Sequence, residues 1–521
     1  MKTYKNTLIA ALTVATSISL STVSFADNYD LVIKNGRVID PETDLDAKRW
    51  IGISAGKITK ISTTSITGKK TIDATGLVVS PGFIDLHAHG QLLPNARLQA
   101  FDGVTTALEL EAGVLEVDKF YSNIAKEGRP INYGASANWS MARAMVLDNA
   151  TFNGIPGEAL RVFSLPNWSR NLATKAQQTE IINVVEKAIN AGALGVGILA
   201  GYSPNSNRKE YYQLHKLAAK YNVSTFNHIR FASTQEPKSA FEAYQELISA
   251  AASTGAHAHI SHLNSTSARD IEDVAELVLN AQKQGVKISV EAYPYSAAST
   301  AIGGQMFRGE HWKERLGNAN ETDFSFNGKQ LTPTSFKELQ DNSPRSIIIF
   351  NYLDPEHSAS DQHLYEISQL FPNGAVASDG MPIMDATTHR MISGDVWPLP
   401  ENAQTHPRSA GSYSRFIRQF VKESKKISLS EAIRKMSLIP AQILETSVEQ
   451  MKFKGRIQEG ADADIVIFDF AELTDRATFA KPILTSKGMK TVIVNGTPII
   501  ENGQLIRSAM PGKAIRRQVK N

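Results

Sequence analysis

The sequence predicts an α/β chain: a (β/α)8 TIM barrel inserted into a small β-sandwich that the two ends of the chain build together. Three observations predict it. The 521 residues, 42% hydrophobic and 21% charged, suffice for one large barrel with an accessory module and exceed any small binding domain. Units of helix followed by strand recur from Gly82 to Glu445, the pattern of a parallel sheet with crossover helices. The two ends share another texture, short β-branched runs broken by Asn-Gly and Gly-Lys turns. The expected division is residues 1–26 as a signal peptide, 27–80 as the first part of the sandwich and 81–446 as the barrel. Residues 447–521 then form the second part of the sandwich and a C-terminal tail.

In chain order, Lys2 and Lys5 precede a mostly apolar run from Thr7 to Leu20, and Ser24-Phe25-Ala26 has the small-x-small form of a cleavage site. The run is shorter than the roughly 20 residues that span a bilayer, so it reads as a secretory signal rather than an anchor. The mature chain is expected to begin near Asp27 and to be soluble, periplasmic or secreted, with no membrane contact after cleavage. Leu31-Val32-Ile33, Val38-Ile39 and Trp50-Ile51-Gly52-Ile53 then read as strands separated by turns at Asn35-Gly36 and Gly56-Lys57. In the barrel, Ile271, Val274, Ala275, Val278 and Leu279 make a helix stripe with Ser267 as its cap and Gly285 as its end. Val286 to Val290 follows as a strand. Comparable units run from Glu180 through Gly192 to Leu194, and from Glu210 to Tyr221 before Val223. The excess over the roughly 250 residues of a bare barrel implies long loops. Asp464 to Phe468 and Thr491 to Gly496 return to the β texture, and basic Lys513 to Lys520 reads as a solvated tail.

Composition narrows the chemistry. Lys and Arg number 55 against 52 Asp and Glu, a net +3 too small for a nucleic-acid binder that works by counterion release. There is no Cys, which removes disulfides, thiolate zinc sites and cysteine nucleophiles together. Any metal must be held by His and carboxylates.

A barrel of this kind carries its active site at the C-terminal ends of its strands, so the polar residues that end apolar runs are the candidates. Val78 to Gly90 ends in His87-Ala88-His89, whose two-residue spacing puts both imidazoles on one face, able to share one ion. Gly103 to Glu111 ends in Glu109 and Glu111, of equal parity. Val223 to His228 and His257 to His262 each end in His, and Ala375 to Gly380 contains Asp379. A lone His or an Asp-Gly pair is ambiguous between a structural role and a ligand. Four His and several carboxylates converging on one mouth, without a thiol, suit Zn²⁺. His257 and His259 repeat the spacing, but parity turns them from the face of His262, so they read as structural. Gly195-x-Gly197 is too loosely spaced for a dinucleotide loop, and Trp139 and Trp312 read as packing.

The blocks Pro-Gly-Phe-Ile-Asp-Leu-His-Ala-His (81–89), Gly-Val-Thr-Thr (103–106), Asn-His-Ile-Arg (227–230), Ile-Ser-His-Leu (260–263), Ser-Asp-Gly (378–380) and Gly-Arg-Ile-Gln-Glu-Gly-Ala-Asp-Ala-Asp (455–464) resemble the metal-dependent amidohydrolase superfamily. Tyr293-Pro294-Tyr295, His406-Pro407-Arg408 with Gly411, and Asp475 to Phe479 point to its N-acyl-D-amino-acid deacylase branch. That resemblance covers nearly all of residues 30 to 505. It implies His87, His89, His228 and His262 as ligands of one or two Zn²⁺ ions, with Asp379 as catalytic carboxylate and further ligand. It implies Arg408 and Tyr293 as the grip on the substrate's free carboxylate; Arg230 is a second candidate beside a structural role. Relatives place a Cys or a carboxylated Lys near the second or fourth strand, whereas this chain has Ala112 and no such Lys. Glu111 is the expected replacement, preferred over Glu109 because it lies nearer the mouth. Asn264 stands where the deacylases carry Lys, and Asn138 where a His is expected.

The resemblance thus implies a zinc-dependent hydrolase of linear amides that cleaves an N-acyl-D-amino acid, with Asp379 passing a proton from water to the leaving amine. Its partner is a small N-acyl amino acid or dipeptide-like molecule. A dipeptidase or cyclic amidase of the same superfamily, and a non-catalytic scaffold, are the alternatives.

Overall fold

The computed structural model describes Met1 and residues 28–267 and 269–518; the expected signal peptide lies outside the described residues apart from Met1. Eight parallel strands form the barrel: β1 (Phe83–Asp85), β2 (Val104–Val114), β3 (Asn132–Asn138), β4 (Gly195–Leu199), β5 (Ser224–His228), β6 (Ala258–Ile260), β7 (Ile288–Ala292) and β8 (Ala375–Val376). Each pairs with the next in chain order. The ring closes just beyond β8 and β1, where Ala88 bridges Gly380 and the Gly380 N–H donates to the His87 carbonyl at 3.3 Å. Asp85 reinforces the closure by accepting from the Ser378 N–H at 3.0 Å and from the Ser378 hydroxyl.

Helices lie where the periodicity places them. Lys175–Asn190 precedes β4, Arg208–Tyr221 precedes β5 and Ile271–Lys283 precedes β7. The last is capped at Asp270 and not at Ser267, because Leu263–Thr266 forms a short helix of its own that ends on Ser267. The long loops expected from the length include a four-stranded antiparallel sheet inserted between β7 and β8, of strands Ala297–Ala301, Phe324–Phe326, Lys329–Gln330 and Ile347–Asn351. Phe307, Phe324, Phe336 and Ile348 give it a small core.

The two ends of the chain meet in one continuous nine-stranded sheet. Its joint is the antiparallel pairing of Val78–Pro81 with Ile465–Phe468. Period 2 sorts the two faces. Ile465, Ile467 and Ile493 gather with Ile33, Ile51 and Ile53 into a core belonging to the sheet, while Val466, Phe468 and Val492 pack with Phe83, Val104 and Phe416 of the barrel body.

The C-terminal segment corrects the expectation of a solvated tail. Tyr133 N–H donates to the Lys513 carbonyl at 3.1 Å, and Ile515 N–H to the Tyr133 carbonyl at 2.7 Å. Ile515 is fully buried with Ile84, Leu108, Leu194 and Phe226. The physical reason is that β3 and β4 pair only at Ala137–Val196 and Asn138–Gly197, which leaves the start of β3 without a neighbour on that side. The tail supplies one.

Candidate metal centre

The strand ends bring His87, His89, Glu111, His228, His262 and Asp379 together. His228 is the last residue of β5. His262 and Asp379 lie past the ends of β6 and β8, and both take left-handed backbone conformations, with φ of 35° and 49°. Such conformations are strained for a residue other than glycine and persist where the surroundings fix them; here they follow the strand ends at which the two side chains join the cluster.

Glu111 is placed by a bulge. Strand β2 pairs with β3 at Glu109–Ala135 and next at Val114–Ala137, so the chain between carries extra residues that bow out of register. Gly113 makes the turn at φ 73°. Gly197 of β4 approaches from the other side, and a Cβ there would stand 2.3 Å from the Glu111 carbonyl oxygen. Gly195-x-Gly197 is thus a place of close backbone approach.

The Glu111 carboxylate divides the cluster into two half-sites. Its Oε2 is 3.3 Å from His87 Nε2 and 3.6 Å from His89 Nε2, and Asp379 Oδ1 is 3.4 Å from both of those nitrogens. Its Oε1 is 3.1 Å from His228 Nδ1 and 2.8 Å from His262 Nε2. Imidazole nitrogens also face each other, His87 and His89 at 3.1 Å, His228 and His262 at 3.2 Å. Donor atoms held at about 2.0–2.1 Å around one tetrahedral ion lie about 3.3 Å apart, so these spacings fit ligands converging on a cation. The charges agree. Although burial favours neutral rings, Asp379, Glu111 and Glu291 hold His87 protonated well above its usual range. Glu109 and Asp379 likewise bring His89 up to about 10 against burial. The carboxylates call for positive charge at this point.

The outer nitrogens of the first pair are anchored. His89 Nδ1 lies 2.9 Å from Glu109 Oε1, which puts Glu109 behind His89 and leaves Glu111 at the centre of the cluster. His87 Nδ1 lies 2.5 Å from Glu291 Oε1. Glu291, on β7, is a residue the sequence reading missed, although a carboxylate inside the strand Ile288–Ala292 was a signal. Its other oxygen is 3.1 Å from His259 Nε2, and His259 Nδ1 meets Ser289 Oγ at 2.7 Å. Burial pushes Glu291 up, but the two imidazoles overcome it and bring the carboxyl down to about 2. His259 is therefore not turned away from the site as strand parity predicts. Strand β6 ends at Ile260, so parity does not carry through to His262, and His259 contacts the buried Glu291 that anchors His87.

Arg408 and Tyr293 stand beside the cluster. Arg408 Nη2 is 2.9 Å from Asp379 Oδ2, and the guanidinium lies 4.5 Å from the centre of the Tyr293 ring. Among the described residues, Arg408 Nε and Nη1, Tyr293 Oη and Ser299 Oγ are buried without hydrogen-bond partners. Arg230 is not brought there: its guanidinium is spent on Glu246, at 2.7 and 2.9 Å, and on the Ser206 carbonyl at 3.1 Å. Asn264 fixes the Tyr293 loop by donating to the Tyr293 carbonyl at 3.1 Å, and Asn138 caps the next helix by accepting from the Met141 N–H at 2.7 Å. Trp139 donates to Glu210 at 2.6 Å, and Trp312 packs on Phe336.

His89, Glu111, His228, His262 and Asp379 all open onto one chamber of about 110 Å³, and Ile155–Glu158 lines both this chamber and an adjoining cavity of about 800 Å³.

Comparison with known proteins shows the family and the fold. The sequence profile of the amidohydrolase family matches residues 70–500. An N-acyl-D-glutamate deacylase of Alcaligenes xylosoxydans xylosoxydans is 25% identical, covering 94% of this chain and 97% of its own. An N-acyl-D-aspartate deacylase of the same organism is 26% identical over 93% of this chain and 95% of its own. The crystal structure of N-acyl-D-glutamate deacylase from Bordetella bronchiseptica, complexed with zinc and a phosphonate mimic of the tetrahedral intermediate, superposes with a TM-score of 0.72. It is 21% identical and covers 94% of this chain and 100% of that one.

Proposed function

The chain belongs to the amidohydrolase family and is a hydrolase of carbon–nitrogen bonds other than peptide bonds, and from that premise we propose that it cleaves N-acyl-D-amino acids with zinc as its metal. The observation that carries the proposal is the division of Glu111, one oxygen toward His87 and His89 and the other toward His228 and His262. His87, His89, Glu111 and Asp379 would hold one ion, and Glu111, His228 and His262 a second. Zinc bound there supplies Lewis acidity, acidifying water and polarising the amide carbonyl.

The remaining chemistry falls to the chain. Asp379 is the one carboxylate of the cluster that also faces Arg408, and that guanidinium with His87 keeps it ionised in spite of burial. It is placed to take a proton from the attacking water and hand it to the departing nitrogen, which must leave as a neutral amine. Arg408 Nε and Nη1 and the Tyr293 hydroxyl, lacking protein partners among the described residues, supply donors for the substrate's α-carboxylate. Glu291 and Glu109 hold His87 and His89 in one tautomer.

Asp379→Asn tests the assignment. It is expected to lower kcat at least about 100-fold while zinc stays bound at His228, His262 and Glu111. Turnover of N-acetyl-D-amino acids retained by this variant would refute the role given to Asp379.

A further inference from the structure

Resting on that reading of the site, we infer that the amino-acid side chain of the substrate is uncharged and apolar, so that the α-carboxylate is the only anion the site accepts. The chain would then act on N-acyl derivatives of aliphatic, aromatic or thioether amino acids and not on those of glutamate or aspartate, although deacylases named for those two acids are among its relatives.

The α-carbon is bonded to both the carboxylate and the amide nitrogen. With the carboxylate at Arg408 and the amide at the cluster, the side chain starts between them and enters the inner chamber. Leu115, Phe120, Met141, Phe163, Leu199 and Phe307 line that chamber, and among the described residues no Lys or Arg lines it. Arg408, buried behind Asp379, is the cation at hand, and the α-carboxylate uses it.

Apart from Ser299, whose hydroxyl is a neutral donor, the polar neutral groups of the described lining are already paired. Gln91 donates to the Ala88 carbonyl at 2.9 Å, Thr300 shares a hydrogen bond with Tyr202, and Thr266 lies 2.9 Å from the Tyr244 hydroxyl. The lining acid outside the cluster and its anchor Glu109 is Glu158, which accepts from the Asn153 N–H and from Arg161, each at 2.8 Å. A second carboxylate in this space would lose its water, gain no cation and face Glu158. A methionine, leucine or phenylalanine side chain would instead shed apolar surface into apolar walls.

The test compares kcat/KM of the zinc-loaded full chain for N-acetyl-D-methionine, N-acetyl-D-phenylalanine, N-acetyl-D-glutamate and N-acetyl-D-aspartate. The apolar pair is expected to exceed the acidic pair by about 100-fold or more. Met306 is half-buried in the chamber wall, and Met306→Arg, which keeps a long side chain there, is expected to shift the glutamate-to-methionine ratio at least about 10-fold toward glutamate. Equal or faster cleavage of the acidic substrates by the unaltered chain overturns the inference and leaves the deacylase reading standing. Cleavage of none of the four overturns both.

Discussion

At the scale of the residue, the cluster shows how much a ligand depends on what stands behind it. His87 is positioned through Glu291, and Glu291 through His259, all three buried. Glu291→Gln is expected to weaken zinc affinity about 10–100-fold while the fold is retained, as read by competition with a chromophoric chelator. His259 acts through the same carboxylate, so adding His259→Asn to that variant should weaken zinc binding little further; two full, additive losses would show that the pair is not one relay. The four His of the cluster and Asp379 were legible because each closes an apolar run. Glu291 was harder to see because it lies inside its strand, and Arg230 misled because adjacency to His228 in sequence says nothing of Glu246, which occupies it.

At the scale of the element, the bulge in β2 decides which carboxylate reaches the cluster. Glu109 and Glu111 share parity in a regular strand, yet the register break after Glu109 puts one against His89 Nδ1 and the other between the half-sites. Periodicity could not separate them, because the break depends on Gly113 in a left-handed turn and on Gly197 across the interface. Gly197→Ala forces a methyl against the Glu111 and Leu110 carbonyl oxygens. It is expected to destabilise the chain by about 1–3 kcal/mol in urea unfolding and to lower metal occupancy together with it. Unchanged stability and occupancy would show that the bulge tolerates displacement. The barrel helices were legible from their apolar stripes, whereas the inserted sheet of residues 297–351 was not, since its strands are short and its core is small.

At the scale of the whole molecule, three segments distant in sequence hold the barrel: the N-terminal strands, the strands after Ile465 and the tail that ends on Ile515 beside β3. The sequence showed that the two ends share a texture, and the sheet they form follows from it. It did not show the tail docking, because four basic residues in the segment 513–520 suggest solvent while one apolar residue, Ile515, makes the buried contact. Truncation after Met510 is expected to lower Tm by several degrees and to expose β3 to proteolysis; an unchanged melting curve would contradict a structural role for the tail. We further propose that the chain is exported, and mass spectrometry of the protein recovered outside the cytoplasm should find Asp27 at its N-terminus. The central claim is that amide hydrolysis depends on a metal held around Glu111. It is tested most directly by titrating zinc into the metal-stripped chain while following hydrolysis of N-acetyl-D-methionine. Turnover absent without metal and rising to a plateau at one or two equivalents is the expected result; turnover that persists unchanged in the stripped chain would contradict the account.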